Sequence, residues 1–492
     1  MKLSHTLTRT SAVFDDPNLV SSAGLVPVMA LADAAGLRTL TDERLTVATD
    51  KGANAGLKVA SIVGGMLAGA DSIDDMAVLR HGGMSKVFSF AYAPSTLGSF
   101  LRAFTFGHVR QLDAVAARFL LALAARTRLL GPDAEQATAS STGTTSSTTG
   151  GYALLDVDDT IIEVHGHQKQ GAGFGYSKVR GLNAILAALT TAGHAPVIVA
   201  QRLRKGSCGS PRGAARLIGD AVKQARRLLG ADQPILVRMD SAFFGGPAVR
   251  AALSGGAHVS VTVRLTATIK TAIASIEDAA WTTIEYTDAI RDETTGAWIS
   301  RAEVAEIDFT AFAAQQKAHR VPGRLVVRRI PDLNAEKKKA AGQGTLFDVW
   351  RFHAFFTTAD PDVLDTVAAD QAHRHHAIIE QVHADLKGSA LAHLPSGKFT
   401  ANAAWLVLAV IAFNLTRAAA TLAEGDTATS TRSTRLAKAS TATIRRTLIA
   451  VPARVASSAR RITLHLPQAW PWHDAWTRLF DRVADPPAIA SS

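Results

Sequence analysis

The sequence predicts an α/β domain preceded by a helical N-terminal region, on three observations. Apolar residues recur at helical spacing through the first 135 residues, as in AGLVPVMALADAAGL and DAVAARFLLALAART. From residue 151 onward, strand-like segments such as YALLDVD and PILVRMD alternate with helices such as SPRGAARLIGDAVKQARRLLG. The length of 492 residues, with 47% hydrophobic and 19% charged residues, is typical of a globular chain with two to four folded units.

The N-terminal region, residues 1–135, is predicted to be a helical DNA-binding domain. Within it, SIDDMAVLR, the turn HGGMSK and PSTLGSFLRAF have the order of a helix-turn-helix. Residues 136–150 follow as a run of Ser, Thr and Gly that cannot bury apolar surface, so we expect a linker.

The rest of the chain divides into segments that differ in predicted secondary structure. Residues 151–264 carry the alternating strands and helices, residues 265–370 are rich in β-leaning segments such as RLVVRRI, and residues 371–424 return to helix. The apolar run Ala403–Phe413 is about half a membrane span and is expected to be a buried helix. Residues 425–492 form a basic C-terminal region, predicted to contain a hairpin followed by a Trp-rich segment.

Charge and cysteine usage narrow the class of function. Lys and Arg number 53 against 42 acidic residues, a net charge of +11, which favours a polyanionic partner such as nucleic acid. Cys208 is the single cysteine, which excludes a disulfide framework and a thiolate zinc site and suits a reducing cytosol. The first residues, MKLSHTLTRTSAVFDD, lack the apolar core of a signal peptide.

The strand YALLDVDDT places three aspartates within four residues and admits two interpretations. Its D-x-D-x-T pattern is similar to the first motif of haloacid-dehalogenase-type phosphatases, with Asp156 as nucleophile, Asp158 as general acid and Thr160 in support. That chemistry also needs a later acidic pair, whereas the strand PILVRMD ends with one acid, Asp240. Asp156 shares a strand face with Asp158, and Asp159 points to the other face.

The second interpretation is a metal site built by acids from separate elements. Carboxylates at the ends of two strands can converge at one sheet edge, and a third acid would complete the ligands of a pair of Mg²⁺ ions. The predicted helix from Gln371 to Gly388 offers that acid. One polar stripe of this helix, about 60° wide, carries His373, His376, Glu380 and Lys387.

The motifs together resemble the RNase H-like DDE catalytic domain of bacterial insertion-sequence transposases, in detail the insertion sequence 1380 family. The resembling stretches are LDVDDTIIEVHGHQ, GAGFGYSKVRG, VRMDSAFF and HRHHAIIEQVHADLKGSALAHLPSGKFTANAAWLVLAVIAFNL. The resemblance implies a mixed sheet flanked by helices, interrupted by a β-rich insertion. It implies Asp158, Asp240 and Glu380 as the catalytic acids and the ligands of two Mg²⁺ ions, with Mn²⁺ as a substitute.

The same family has a Tyr-x2-Arg-x3-Glu-x6-Lys signature around the third acid. Lys387 occupies the Lys position, seven residues after Glu380, while His373 and His376 stand where the family has Tyr and Arg. Arg374 is a candidate for the missing guanidinium. These four basic side chains are the candidate DNA contacts.

The resemblance implies a cut-and-paste transposase that binds terminal inverted repeats, cuts them through a hairpin at each end, and inserts the element into target DNA. It implies double-stranded DNA as partner, a homodimer on DNA, no membrane, and a place in the bacterial cytoplasm on the nucleoid. Two alternatives stay open: a non-catalytic DNA-binding relative, and the phosphatase that uses Asp156. His165 and His167 have the spacing of a zinc pair, but no third ligand with suitable spacing follows, so polar strand residues or DNA contacts fit them better.

Overall fold

The structure, a computed structural model, describes residues 4–48, 50–89, 91–131, 151–166, 168–291, 298–331, 350–425 and 436–485. The predicted linker, residues 136–150, and His167 lie outside these ranges, so neither expectation is tested.

A ten-stranded mixed sheet forms the centre of the fold, and a three-stranded sheet lies apart from it. The strands are β1 Leu19–Val20, β2 Ala153–Glu163, β3 Gly173–Phe174, β4 Arg180–Thr190, β5 Val197–Lys205, β6 Ile235–Met239, β7 His258–Val263, β8 Thr282–Arg291, β9 Trp298–Ala311, β10 Val321–Pro331, β11 Trp350–Thr357, β12 Ala453–Ser458 and β13 Arg461–His465. The helices are α1 Leu25–Ala34, α2 Leu37–Arg44, α3 Ala55–Ala68, α4 Met84–Val87, α5 Pro94–Arg102, α6 Phe106–Arg126, α7 Ala214–Leu229, α8 Gly246–Ser254, α9 Ala267–Ala274, α10 Thr366–Arg374, α11 Ile378–Lys387, α12 Phe399–Ala423, α13 Thr441–Ile444 and α14 His473–Ala484.

Five strands of the central sheet follow the order β5–β4–β2–β6–β7. Strand β4 is antiparallel to its neighbours β5 and β2, and β6 and β7 run parallel to β2. Helices α7 and α8 provide the crossovers to β6 and β7, as parallel pairing requires. This arrangement confirms the predicted α/β class, a mixed RNase H-like sheet flanked by helices.

The β-rich insertion extends this same sheet. Strand β11 pairs antiparallel with β7, and β10, β9 and β8 follow in order. Short apolar runs predict strands but not their partners, so the sequence did not show that the insertion continues the central sheet. The exact domain limits remain predictions.

Helix α12 is the longest apolar helix, and it contains the predicted run Ala403–Phe413. Its 25 residues would suit a membrane span by length and composition, but 94% of its most apolar window is buried inside the protein. It packs against β5 and the N-terminal helices α3, α5 and α6. Asn414 bonds both backbone groups of Ile198 on β5, at 2.9 and 2.8 Å, which covers the open edge of that strand.

The N-terminal region is helical as predicted, but the expected helix-turn-helix is absent from this segment. Residues Asp74–Arg80 form a 3-10 helix, followed by the single turn α4 and then α5. The Asp75 carboxylate accepts from the hydroxyl and the backbone N–H of Ser72, at 2.6 and 3.1 Å, and this local bonding competes with an α-helix.

The C-terminal region contains the predicted hairpin, formed by β12 and β13. Strand β12 also pairs with β1, so the two ends of the chain share the small sheet. The residues before the hairpin, Thr441–Ile449, are helical rather than extended.

Candidate active site

Asp158 and Asp240 lie side by side on neighbouring parallel strands. The register of β2 and β6 places Val157 opposite Met239, one residue before the two aspartates. Both line one open cleft of about 1110 Å³, to which Arg264 and Lys387 also contribute. Two predicted acids therefore meet at one cleft, where β6 ends beside the middle of β2.

The carboxylates of Asp158 and Asp240 are partly buried and repel each other. Burial and the neighbouring charge of Asp240 raise the pKa of Asp158 to about 6, against the lowering effect of the Asp159 N–H, which donates to Oδ1 of Asp158 at 2.7 Å. Burial also raises the pKa of Asp240, although its carboxylate accepts the N–H of Ala242 at 3.0 Å. A cation between these groups would relieve both effects.

Asp156 has a different environment from Asp158 and is fully buried. The guanidinium of Arg238, also fully buried, donates two hydrogen bonds to it, each of 2.7 Å, and Nδ1 of His376 lies 2.8 Å from its Oδ1. Burial alone would raise the pKa of Asp156, but Arg238 and His376 outweigh burial and hold this pKa below its usual value. A carboxylate enclosed in this way has no access to a substrate, which argues against the phosphatase.

Asp159 is engaged on the other face of β2. Its carboxylate accepts hydrogen bonds from Asn183 at 2.6 Å and Ser210 at 3.0 Å, and it forms an ion pair with Arg204. These bonds tie β2 to β4, β5 and the loop after β5. Of the three aspartates, Asp158 is the one with a carboxylate oxygen turned to the cleft and free of a strong partner.

The helix predicted from Gln371 to Gly388 is interrupted. Helix α10 ends at Arg374, His375–Ala377 form a 3-10 turn, and α11 begins at Ile378. Arg238 explains the break, because its guanidinium donates to the backbone carbonyls of Ala372 and His375. Carbonyls bound by a buried side chain are less available to the regular helical pattern.

The interruption distributes the side chains of the predicted polar stripe over α10, the 3-10 turn and α11. On α11, Lys387 reaches the cleft, whereas Glu380 is exposed and does not line it. His383 on α11 does approach Asp158, with its Nδ1 3.7 Å from Oδ2 of Asp158. Burial, with smaller contributions from Lys387 and His376, lowers the pKa of His383 to about 4.

Two predicted DNA contacts have other partners. The ring nitrogens of His373 lie 2.8 Å from the hydroxyl of Ser260 and 3.0 Å from that of Thr262, and the ring stacks on Phe355. Burial lowers the pKa of His373 well below its ordinary value, so it is a neutral packing residue rather than a cationic phosphate contact. Arg374 donates to Asp370 at 2.9 Å.

The donor set can be tested against a divalent cation. Among the described residues, no group of three or more His, Cys, Asp or Glu side chains is close enough to hold a metal ion. Asp158 and Asp240 nevertheless offer the hard oxygen donors that Mg²⁺ prefers, and Mg²⁺ commonly takes one or two carboxylates together with water and substrate phosphate. The two aspartates fit this role, while Glu380 would have to reach the cleft from the exposed side of α11.

The raised pKa of Asp158 makes stability depend on pH in the metal-free protein. Its folded pKa of about 6 exceeds the unfolded value, so its contribution is fully present below about pH 4 and is lost as pH rises through about 6. We expect Asp158→Asn to remove this loss, on the order of 2 kcal/mol. Urea unfolding of both proteins in EDTA, from pH 4.5 to 7.5, measures it; a constant difference between the two proteins across this range would contradict the assignment.

Sequence reasoning missed three residues of the site, namely Arg238, Arg264 and His383. Arg238 had a usable signal, because it precedes Asp240 by two residues on a predicted strand and a buried arginine needs an acidic partner. His383 also had one, because it follows Glu380 by three residues and lies about 60° from it around the helix, between Glu380 and the apolar side chains of the helix.

Comparisons with known proteins place this geometry in context. A family model described as "Transposase DDE domain group 1" matches residues 7–487. Among solved structures, the chain is similar to a cryo-EM structure of a piggyBac transposase synaptic complex with hairpin DNA. The likeness covers 98% of this chain and 87% of that one, at 9% sequence identity and a TM-score of 0.38. No curated protein matches the sequence.

Proposed function

Because the chain belongs to the family described as Transposase DDE domain group 1, we propose that it cuts and joins DNA at the ends of an insertion sequence by a cut-and-paste route. In this role it binds the terminal inverted repeats, hydrolyses a phosphodiester at each end and transfers the freed strands to a target. The motif order favours the insertion sequence 1380 branch of these enzymes.

The observation that carries the proposal is the pairing of Asp158 and Asp240 on adjacent parallel strands at one cleft. Burying two acids and raising their pKa values costs folding free energy, and such perturbed acids are concentrated at functional sites. Helix α11 packs on β2, the strand that carries Asp158, and Lys387 on this helix lines the same cleft.

We assign Asp158 and Asp240 as ligands of the divalent cations, with Glu380 as the third acid. Two Mg²⁺ ions, when bound, would stabilise the charge on the attacking and leaving oxygens of the phosphodiester. Glu380 stays in the proposal because its exposed side chain rises from α11, the helix that packs on β2. Asp156 and His376 have a positioning role, since the buried Arg238–Asp156 pair fixes the His376 ring beside the cleft acids.

The partner in this proposal is double-stranded DNA, both the inverted repeats and the target. The net charge of +11 would favour the DNA backbone and make binding weaken steeply with salt. Two ends must be held together, so we propose a homodimer on DNA, acting on the bacterial nucleoid in the cytoplasm.

A cleavage assay tests the function directly. The purified chain, with DNA carrying the flanking inverted repeats, is expected to cut at the repeat ends when Mg²⁺ or Mn²⁺ is added and not in EDTA. Binding of the repeats without cleavage under any divalent cation would instead support the non-catalytic DNA-binding relative.

Lys387 gives a sharper expectation about substrate binding. Its ammonium lines the cleft beside the acids, so Lys387→Ala should remove a phosphate contact near the cut and lower the cleavage rate about 10–100-fold. The matched control is Lys317→Ala, in an exposed 3-10 turn after β9. Single-turnover cleavage at saturating protein measures the rate; equal rates for both variants would remove Lys387 from the site.

A further inference from the structure

We propose that His383 is a nitrogen ligand of the cation that Asp158 binds, an inference that rests on the proposed function. The residue is buried, with 5% of its surface exposed, and lies on the face of α11 that meets β2. It is therefore His383, rather than the exposed Glu380, that α11 presents to the first acid.

The spacing between the two side chains carries the argument. Nδ1 of His383 lies 3.7 Å from Oδ2 of Asp158, which is too long for a hydrogen bond. Metal–nitrogen and metal–oxygen bonds of roughly 2.0–2.2 Å allow two donors at this separation to share one ion. The other oxygen of Asp158 already accepts the N–H of Asp159, so Oδ2 is the one left for a cation.

The imidazole has no competing task in the described part of the chain. Its Nε2 is buried without a hydrogen-bond partner and its Nδ1 is 3.7 Å from Asp158, so neither ring nitrogen is held by a hydrogen bond to a described protein group. His373 and His376, by contrast, are bonded to protein groups through their ring nitrogens. A histidine ligand also predicts a preference, since imidazole favours Mn²⁺ or Co²⁺ over Mg²⁺ more than carboxylate does.

Pulsed electron paramagnetic resonance with Mn²⁺ alone, on the full chain without DNA, tests the assignment. Wild-type protein is expected to show the coupling of one directly bound nitrogen, and this coupling should change from ¹⁴N to ¹⁵N when only histidine is ¹⁵N-labelled. In His383→Gln the coupling should vanish and Mn²⁺ affinity should fall at least about tenfold. His393→Gln, at an exposed histidine that contacts Asp71, is the matched control.

The possible outcomes distinguish a wrong His383 assignment from a wrong proposed metal site. Mn²⁺ binding that needs Asp158 but shows no histidine nitrogen in wild type would overturn the His383 assignment and leave the two-aspartate site intact. A nitrogen signal that persists in His383→Gln would also overturn it. If Mn²⁺ does not bind wild type at all, both the assignment and the proposed metal site fail. The isotope measurement needs no substitution, so the absence of a histidine nitrogen in wild type overturns the assignment even if His383→Gln does not fold.

Discussion

Asp158→Ala and Asp240→Ala are expected to bind the inverted repeats as tightly as wild type while losing at least about 10³-fold in cleavage rate. Each variant removes one of the two carboxylates that β2 and β6, adjacent parallel strands, bring to this cleft without a strong protein partner. Charge stabilisation by a bound metal is worth several kcal/mol in the transition state, and each 1.36 kcal/mol corresponds to a factor of ten.

Glu163→Gln is the matched control for these variants. Glu163 is an exposed acid at the end of β2 that borders the same cleft, and we give it no part in metal binding. Its cleavage rate should stay within about threefold of wild type. An Asp158 or Asp240 variant that cuts as fast as this control would refute that residue's role.

Glu380→Ala tests, in the same cleavage assay, whether Glu380 is the third metal-binding acid. A loss similar to that of Asp158→Ala would show that the exposed carboxylate moves into the site when DNA and metal bind. Near wild-type cleavage by Glu380→Ala would refute its assignment while leaving the two strand aspartates in place.

Arg238→Met is expected to destabilise the fold by about 3–5 kcal/mol, the second large effect. Arg238 and Asp156 are both fully buried, so removing the guanidinium leaves a carboxylate without its main partner in the interior. The backbone carbonyls of Ala372 and His375 lose a donor as well. Urea unfolding at pH 7 measures the change.

The sign of the pH effect identifies the cause. The pKa of Asp156 is lowered in the folded protein, so the stability it contributes is present above about pH 4 and is lost as pH falls through the folded pKa. In Arg238→Met the orphaned carboxyl can be protonated more easily, and the destabilisation should shrink toward pH 4. The double variant Asp156→Leu/Arg238→Met should regain part of the loss, because it no longer buries a charge.

Arg301→Met is the matched control for the buried pair. Arg301 and Glu285 form an ion pair with 73% and 69% of the side chains exposed. Such a pair contributes little, so the variant should change stability by no more than a few tenths of a kcal/mol. A similar small loss for Arg238→Met would mean that the buried pair does not support the fold.

The local pattern of apolar and polar residues was sufficient to predict most of the helices and strands. The strand-and-helix alternation predicted the central α/β sheet. Asp158 and Asp240 were predicted as neighbours because each ends a predicted strand, although β2 continues past Asp158 to Glu163. Pattern failed where a distant side chain acts on the backbone. The continuous helix predicted through His375 is broken because Arg238, more than a hundred residues earlier in the chain, binds its carbonyls.

The choice among the clustered acids needed tertiary structure for the same reason. Alternation placed Asp156 and Asp158 on one strand face without separating their roles. Their difference arises from neighbours: Arg238 encloses Asp156, while Asp158 faces an open cleft. Likewise, the helical stripe contained Glu380 but could not show that His383 is the residue turned toward the sheet.

The burial of α12 among the N-terminal helices has a consequence for synthesis on the ribosome. Helices α3, α5 and α6 lack their packing partner until residue 423 has been translated, long after their own residues have emerged. The nascent chain therefore carries an incomplete apolar core while Asp158, Asp240 and Glu380 are being synthesised. A prematurely terminated chain should be degraded rather than accumulate as a repeat-binding fragment that competes with the intact enzyme.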